Sequence, residues 1–233
     1  VPSVSLLIPA YNEHASIADV IERSLAVLKE CTTDAELIVL DDASKDDTFA
    51  LMQQAKERHP DIRIERHTVN GGIAKTFEDL YKMASKDFLF LISGDGQFPP
   101  ETLKKCMPLL ETNDVVICDR IYKDYTLYRH IISFSYRWFP RILFGVDLRD
   151  PGTIKCVRRE IIKDIQVTST SVFVEAERFI RAAKRGYKIA HVDMIQEQRK
   201  GGKARGGKPS TIAKSVADMM RVWWSLEVLR QKA

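Results

Sequence analysis

Apolar runs and amphipathic stretches alternate through the first half of this chain. "VSLLIP" (4–9) is nearly all apolar, and residues 14–30 follow with Ile17, Val20, Ile21, Leu25 and Leu28 at helical spacing. The couple repeats with "ELIVLDD" (36–42) and a helix over 47–58, then "IRIERH" (62–67) and a helix over 73–85. It repeats again with "FLFLI" (88–92) and a helix over 101–111, and "DVVICD" (114–119) is a fifth strand. Apolar runs without alternation mark strands buried on both faces. Strand–helix alternation with short connections predicts an α/β fold, a mostly parallel central sheet flanked by helices. Ligands of such sheets gather beyond the carboxyl ends of the strands. Four of those ends read "PAYNE", "DDASKDD", "SGDGQ" and "CDR", so polar and charged groups should converge on one edge.

The second half is less regular. "TLYRHIISFSYRWFPRILF" (126–144) predicts a helix interrupted at Pro140, and "RDPGTIKCVRREII" (149–162) a turn followed by a short strand. Residues 172–185 predict a helix ending at Gly186, "YKIAHVDMI" (187–195) a strand, and 210–230 a last helix. At 233 residues the chain fits one α/β domain. A nucleotide half (about 1–120) and an acceptor half (about 121–233) would share one sheet.

Composition narrows the function classes. Hydrophobic content of 45% and charged content of 29% fit a globular protein, and a net charge of +4 gives no reason to expect nucleic acid. Charge is concentrated instead in "RKGGKARGGK" (199–208), five positive residues and no negative one in a glycine-rich loop. Cys31, Cys106, Cys118 and Cys156 are widely spaced and suit neither a zinc site nor a disulfide scaffold, so a cytoplasmic protein is expected. No apolar run approaches the roughly 20 residues that span a bilayer.

The strand ends carry the candidate chemistry. Asp95 and Gln97 lie two apart just past a strand, where both side chains can face one way. Hard oxygen donors of this kind suit Mg²⁺ or Mn²⁺ shared with a phosphate ligand, although Asp-Gly is also a common surface turn. Asp41 and Asp42 end a strand and can accept hydrogen bonds from a ribose or base, whereas Ser44 and Asp46 suit the start of the next helix. "NGG" (70–72) opens a helix whose Lys75 can neutralise a phosphate or simply be solvated.

These stretches, "VSLLIPAYNEHASI", "ELIVLDDASKDDT", "NGGIAKTF" and "FLFLISGDGQFPP", resemble in order and spacing the family 2 glycosyltransferases of the GT-A (nucleotide-diphospho-sugar transferase) fold. The resemblance implies that Pro9, Tyr11, Glu13, Asp41, Asp42, Lys75 and Gly94 border a nucleotide-diphosphate sugar. It implies that Asp95 binds the Mg²⁺ or Mn²⁺ bridging the diphosphate. Members commonly carry Asp-x-Asp here, and Ser93 stands where the first Asp is usual, so the metal would rest on Asp95, Gln97, Ser93 and the diphosphate.

The second half resembles the polyprenyl-phosphate branch of that family, typified by dolichol-phosphate mannosyltransferase. By that resemblance Arg120, Arg129 and Ser133 grip an acceptor phosphate, Asp150 lies in a catalytic turn, and Glu177, Arg199 and Lys203, with Arg205, belong to the donor side. The activity implied is inverting transfer of a sugar from a GDP- or UDP-sugar to a polyprenyl phosphate (dolichyl or undecaprenyl type). A phosphate acceptor is already ionised and needs positioning rather than a strong base. The loop 199–208 would close over the diphosphate. Two other readings stand beside it. One is transfer to a saccharide or lipid hydroxyl with Asp150 or Glu177 as base; the other is a non-catalytic nucleotide-sugar-binding subunit, motivated by Ser93.

Attachment to the cytoplasmic face of a membrane, with or without an anchoring partner, rests on two stretches. Ile212, Val216, Met219, Met220, Trp223 and Leu226 form a stripe on the last helix that would meet either a membrane interface or the domain core. "FSYRWFPRILF" (134–144) interleaves aromatics with Arg137 and Arg141.

Overall fold

Seven strands hydrogen-bond into one sheet in the computed structural model, which describes residues 1–122, 138–199 and 209–230. The strands are β1 (Val4–Ala10), β2 (Ala35–Asp41), β3 (Arg63–Arg66), β4 (Phe88–Leu91), β5 (Val115–Tyr122), β6 (Lys155–Arg158) and β7 (Ile189–Ile195). Their order is β3-β2-β1-β4-β6-β5-β7, so the sheet runs through both halves of the chain. All neighbours are parallel except β6, which is antiparallel to both β4 and β5.

The interior strands read as continuous apolar runs because both faces are covered. On one face α1 (Ile17–Cys31) and α2 (Thr48–Arg58) pack with Leu6, Ile8, Val39, Phe90 and Val116. On the other, α3 (Ile73–Met83) and later helices pack with Leu7, Ile38, Leu89 and Ile117.

The helix expected over 101–111 is broken. A single α turn, α4 (Leu103–Cys106), lies between 3₁₀ turns at Pro100–Thr102 and Met107–Leu109. Pro108 has no N–H to donate and cannot continue a regular helix. Residues 138–144 are helical (α5), with Pro140 accommodated in the described part. The remaining helices are α6 (Arg159–Asp164), α7 (Val174–Lys184) and α8 (Pro209–Trp223), the last continued by a π turn over Trp224–Val228. Gly186 ends the turn after α7 at φ +84°, a conformation that favours glycine.

The expected stripe divides in two: Met219 and Leu226, joined by Val222, are buried and Trp223 packs partly on the core, whereas Val216 and Met220, joined by Trp224 and Val228 of the π turn, stay 43–55% exposed. The helix therefore has one apolar face on the domain and a second facing outward. No helix among the described residues is long and apolar enough to cross a membrane.

Candidate active site

The polar ends of β1, β2 and β4 do meet. The loop after β1 and the loop after β2 are laced together. The Asn12 N–H donates to Ser44 Oγ (2.8 Å), the Lys45 N–H to Asn12 Oδ1 (2.8 Å), and the Glu13 N–H to Thr48 Oγ1 (2.8 Å). Asn12 and Ala43 take left-handed φ of 57° and 59° at these crossings. Beside them the Gly94 N–H donates to the Pro9 carbonyl, and a Cβ at Gly94 would lie 2.9 Å from that oxygen. Gly94 is thus required for close approach of β1 and the β4 end, a packing role.

The result is a cleft of about 660 Å³ lined by Pro9, Tyr11, Asn12, Glu13, Asp42, Asn70, Thr76, Ser93, Asp95, Val172, Arg199 and Thr211, among others. Seven expected residues are there: Pro9, Tyr11, Glu13, Asp42, Ser93, Asp95 and Arg199. Asp42 accepts from the Gly71 and Gly72 N–H groups (2.7 and 2.9 Å) and pairs with His67 (2.7 Å), which fixes the glycine turn that opens α3. The residues that the sequence reading missed come from remote segments. Val172 and Thr211 carry no local signal, and Asn70, quoted only as part of a turn, donates to the Asp42 carbonyl (3.0 Å).

Several expected residues lie elsewhere. Asp41 is fully buried, accepts from Ser44 and pairs with Arg66 (2.9 Å), so it builds the loop instead of facing the cleft. The same contact takes Ser44 away from helix capping, while Asp46 accepts from the Thr48 N–H at the α2 start. Lys75 points away, pairs with Asp79 one turn along α3, and lines a second cavity. We expect Lys75→Ala to change nucleotide affinity less than about fivefold, because its ammonium is held by Asp79 outside the cleft and an exposed charge contributes at most about 1 kcal/mol; a nucleotide titration checks this. Glu177 has no exposed surface. Burial pushes its pKa up, but hydrogen bonds from Ser169, Thr168 and Arg181 outweigh that and hold it below the usual range. It braces the segment before α7 and takes no part in the cleft. Arg129, Ser133, Lys203 and Arg205 lie outside the described residues.

At the far end of β5, two ion pairs cross. Arg120 grips Asp150 with two hydrogen bonds of 2.7 Å, and one residue back on each segment Arg149 lies 3.6 Å from Asp119. Arg149 takes φ +46° in this turn. Two of the Arg120 N–H groups expected to meet an acceptor phosphate are therefore directed at Asp150.

Inside the cleft, the Arg199 guanidinium pairs with Glu13 and lies 3.7 Å from Asp95. Burial raises the Glu13 pKa to about 7, Arg199 opposing and Asp95 adding to the shift. The Asp95 side chain accepts from the Gln97 N–H (3.0 Å), and the Asp95 N–H reaches Ser93 Oγ (3.4 Å). Asp95 and Ser93 offer hard oxygen donors to the cleft, which fits Mg²⁺ or Mn²⁺, and Arg199 shows that this spot holds a cation; Gln97, also expected there, is not a lining residue and reaches Asp95 through its backbone N–H. Among the described residues no three His, Cys, Asp or Glu side chains form a metal cluster, so such a metal would depend on substrate oxygens as well.

The family model described as "Glycosyl transferase family 2" matches residues 5–165. The chain belongs to glycosyl transferase family 2. This family 2 chain is 26% identical over 187 residues to a dolichol-phosphate mannosyltransferase of Pyrococcus furiosus, covering 76% of this chain and 52% of that protein. It is 24% identical over 214 residues to an undecaprenyl-phosphate mannosyltransferase of Micrococcus luteus, with 87% and 86% covered. An undecaprenyl-phosphate 4-deoxy-4-formamido-L-arabinose transferase of Photorhabdus laumondii is 27% identical over 212 residues, 88% of this chain and 63% of that protein. The chain thus spans between half and two thirds of the length of the Pyrococcus and Photorhabdus relatives. Among solved structures, glucosyl-3-phosphoglycerate synthase of Mycobacterium tuberculosis with Mn²⁺, uridine diphosphate and phosphoglyceric acid superposes with a TM-score of 0.76. The identity is 19%, over 95% of this chain and 78% of that one. The fold of this family 2 chain is GT-A.

Proposed function

We propose that this chain is an inverting, metal-dependent glycosyltransferase that moves a sugar from a nucleotide-diphosphate donor to a polyprenyl phosphate at a membrane surface. The observation that carries the reading is the convergence of Tyr11, Glu13, Asp42, Asp95 and Arg199 on one cleft at the carboxyl edge of a family 2 fold. The relatives' acceptors, polyprenyl phosphates, supply the acceptor class. Structural neighbours hold Mn²⁺ or Mg²⁺ with uridine diphosphate, which supports a divalent cation.

Asp42 and the glycine turn it fixes bound the nucleoside end of the cleft. Asp95, with Ser93, would hold the cation, which when bound offsets the charge of the diphosphate leaving group. Arg199 adds a second positive charge at that end. The Arg120–Asp150 pair fixes the turn beside the end of β5, and Arg129 and Ser133 follow β5 in the sequence. The outward α8 face (Val216, Met220, Trp224 and Val228) gives an apolar surface for the cytoplasmic leaflet of a membrane. We expect Met220→Glu with Trp224→Glu to reduce sedimentation with anionic vesicles at least severalfold and to leave nucleotide binding intact. Equal sedimentation would remove α8 from the membrane contact.

A hydroxyl acceptor is the second reading. Its two expected bases are spent, Asp150 on Arg120 and Glu177 on its own loop, but Glu13 lies in the cleft with a pKa of about 7. A general base works deprotonated, so hydroxyl transfer through Glu13 would accelerate as pH rises through about 7, whereas transfer to a phosphate, whose second ionisation lies near about 6, would level off about one pH unit lower. Titration of GDP, UDP and their sugars with Mn²⁺ and with chelator tests the donor half. Transfer to polyprenyl phosphate across pH 6–8 tests the acceptor half. Donor binding with no turnover, restored by Ser93→Asp, would establish a binding subunit instead.

A further inference from the structure

Arg199 stands where a cation is needed, and its placement is built. The Glu197 N–H donates to the Gln97 carbonyl (2.9 Å), tying this segment to the turn that carries Asp95. The Glu197 carboxylate is held by Arg23 through hydrogen bonds of 2.7 and 3.0 Å, and Arg23 also grips Glu101 (2.7 and 2.9 Å). Those hydrogen bonds raise the Arg23 pKa further above its ordinary value, so this anchor stays charged. Two residues beyond Glu197, the Arg199 fork spans from Glu13 on the β1 loop to Asp95 on the β4 turn. The Glu13 and Asp95 side chains are only 11% and 9% exposed, so the guanidinium compensates charge that solvent barely reaches.

We propose that Arg199 and the divalent cation are alternative occupants of the Asp95 carboxylate, so that metal binds appreciably only when a nucleotide diphosphate draws Arg199 away. This rests on the reading of the cleft as a nucleotide-sugar site. Ser93 adds no negative charge, so the two cations contest one carboxylate at the β4 end. A dication arriving alone meets the guanidinium at short range in a poorly solvated cleft, where like-charge repulsion is strong. A diphosphate reverses the balance, because its oxygens accept from a guanidinium in bidentate fashion and also ligate the metal. Linkage makes the effect mutual: the nucleotide tightens the metal and the metal tightens the nucleotide by one common factor, which Arg199 enlarges.

The test is Mn²⁺ binding measured by the electron paramagnetic resonance of the free ion, with and without UDP or GDP. It compares the natural chain with Arg199→Ala, Glu13→Gln and Asp95→Ala, each checked for folding by a thermal melt. We expect Arg199→Ala to tighten nucleotide-free Mn²⁺ binding about tenfold, a coupling of ordinary size, and to shrink the gain from adding nucleotide. Glu13→Gln, which loosens the anchor of Arg199, should tighten it severalfold and serves if the arginine variant is unstable. Unchanged or weaker nucleotide-free binding in both variants, with binding lost in Asp95→Ala, would overturn the exchange while keeping the metal at Asp95. Binding undiminished in Asp95→Ala would overturn the site itself and the exchange with it.

Discussion

Replacing Asp95 with asparagine is expected to abolish metal-dependent nucleotide binding and to lower kcat/KM at least about a thousandfold. The reason lies in the charge count at the end of β4. Asp95 is 6% exposed and its neighbour Ser93 is neutral, so Asp95 supplies the negative charge at the end of β4. Metal neutralisation of a developing leaving group is worth several kcal/mol, and about 4 kcal/mol corresponds to a thousandfold in rate. Asparagine keeps the shape and an oxygen for the Gln97 N–H, so the fold should survive. Calorimetric titration with Mn²⁺ reads the outcome directly; undiminished heat in Asp95→Asn would remove the metal from this position.

Arg120→Ala is expected to cost roughly 3–5 kcal/mol of stability, the usual consequence of stranding one member of a buried ion pair. The side chains of Arg120 and Asp150 are 12% and 9% exposed and meet through two hydrogen bonds of 2.7 Å. Without the guanidinium, the Asp150 carboxylate stays desolvated at the end of a strand. The melting temperature should fall by about 10 °C, given 2–4 °C per kcal/mol in chains of this size. Arg120→Met combined with Asp150→Leu should recover most of that loss, because an apolar pair of similar volume leaves no charge uncompensated. Such recovery without activity would separate the structural role of the pair from any contact with an acceptor. A fall under about 1 kcal/mol in Arg120→Ala would show that the pair is effectively solvated.

β1, β2 and β4 were legible because they are mostly buried and end abruptly in polar groups, and the same contrast located Asp42, Asp95 and Glu13. Direction was harder to read than position. Asp41 and Asp42 are adjacent, yet one is turned inward to Ser44 and Arg66 while its neighbour borders the cleft. Lys75 was misplaced despite a local signal, since Asp79 lies one helical turn further along and outcompetes any distant partner. Glu177 carries the same signal in Arg181, one turn along α7, but its other partners Thr168 and Ser169 precede the helix, and a buried brace looks in sequence like a catalytic acid. The pairing of Arg199 with Glu13 joins residues 186 positions apart, and no periodicity or propensity bears on it. The reversal of β6 was equally hidden, because four residues show neither a period nor a polarity.

That reversed strand decides where the second half of the chain can act. β6 is four residues long, about 13 Å, and it enters the sheet at the edge where β5 leaves it. Laid parallel, it would carry its leading turn, with Arg149 and Asp150, to the opposite rim, and Arg120 would lose Asp150 while Asp119 kept only His191 of β7. As built, the excursion between β5 and β6 starts and finishes at the carboxyl edge of the sheet. Evolution can therefore lengthen, shorten or rewrite that excursion to suit a new acceptor while every strand keeps its register and the nucleotide end stays untouched.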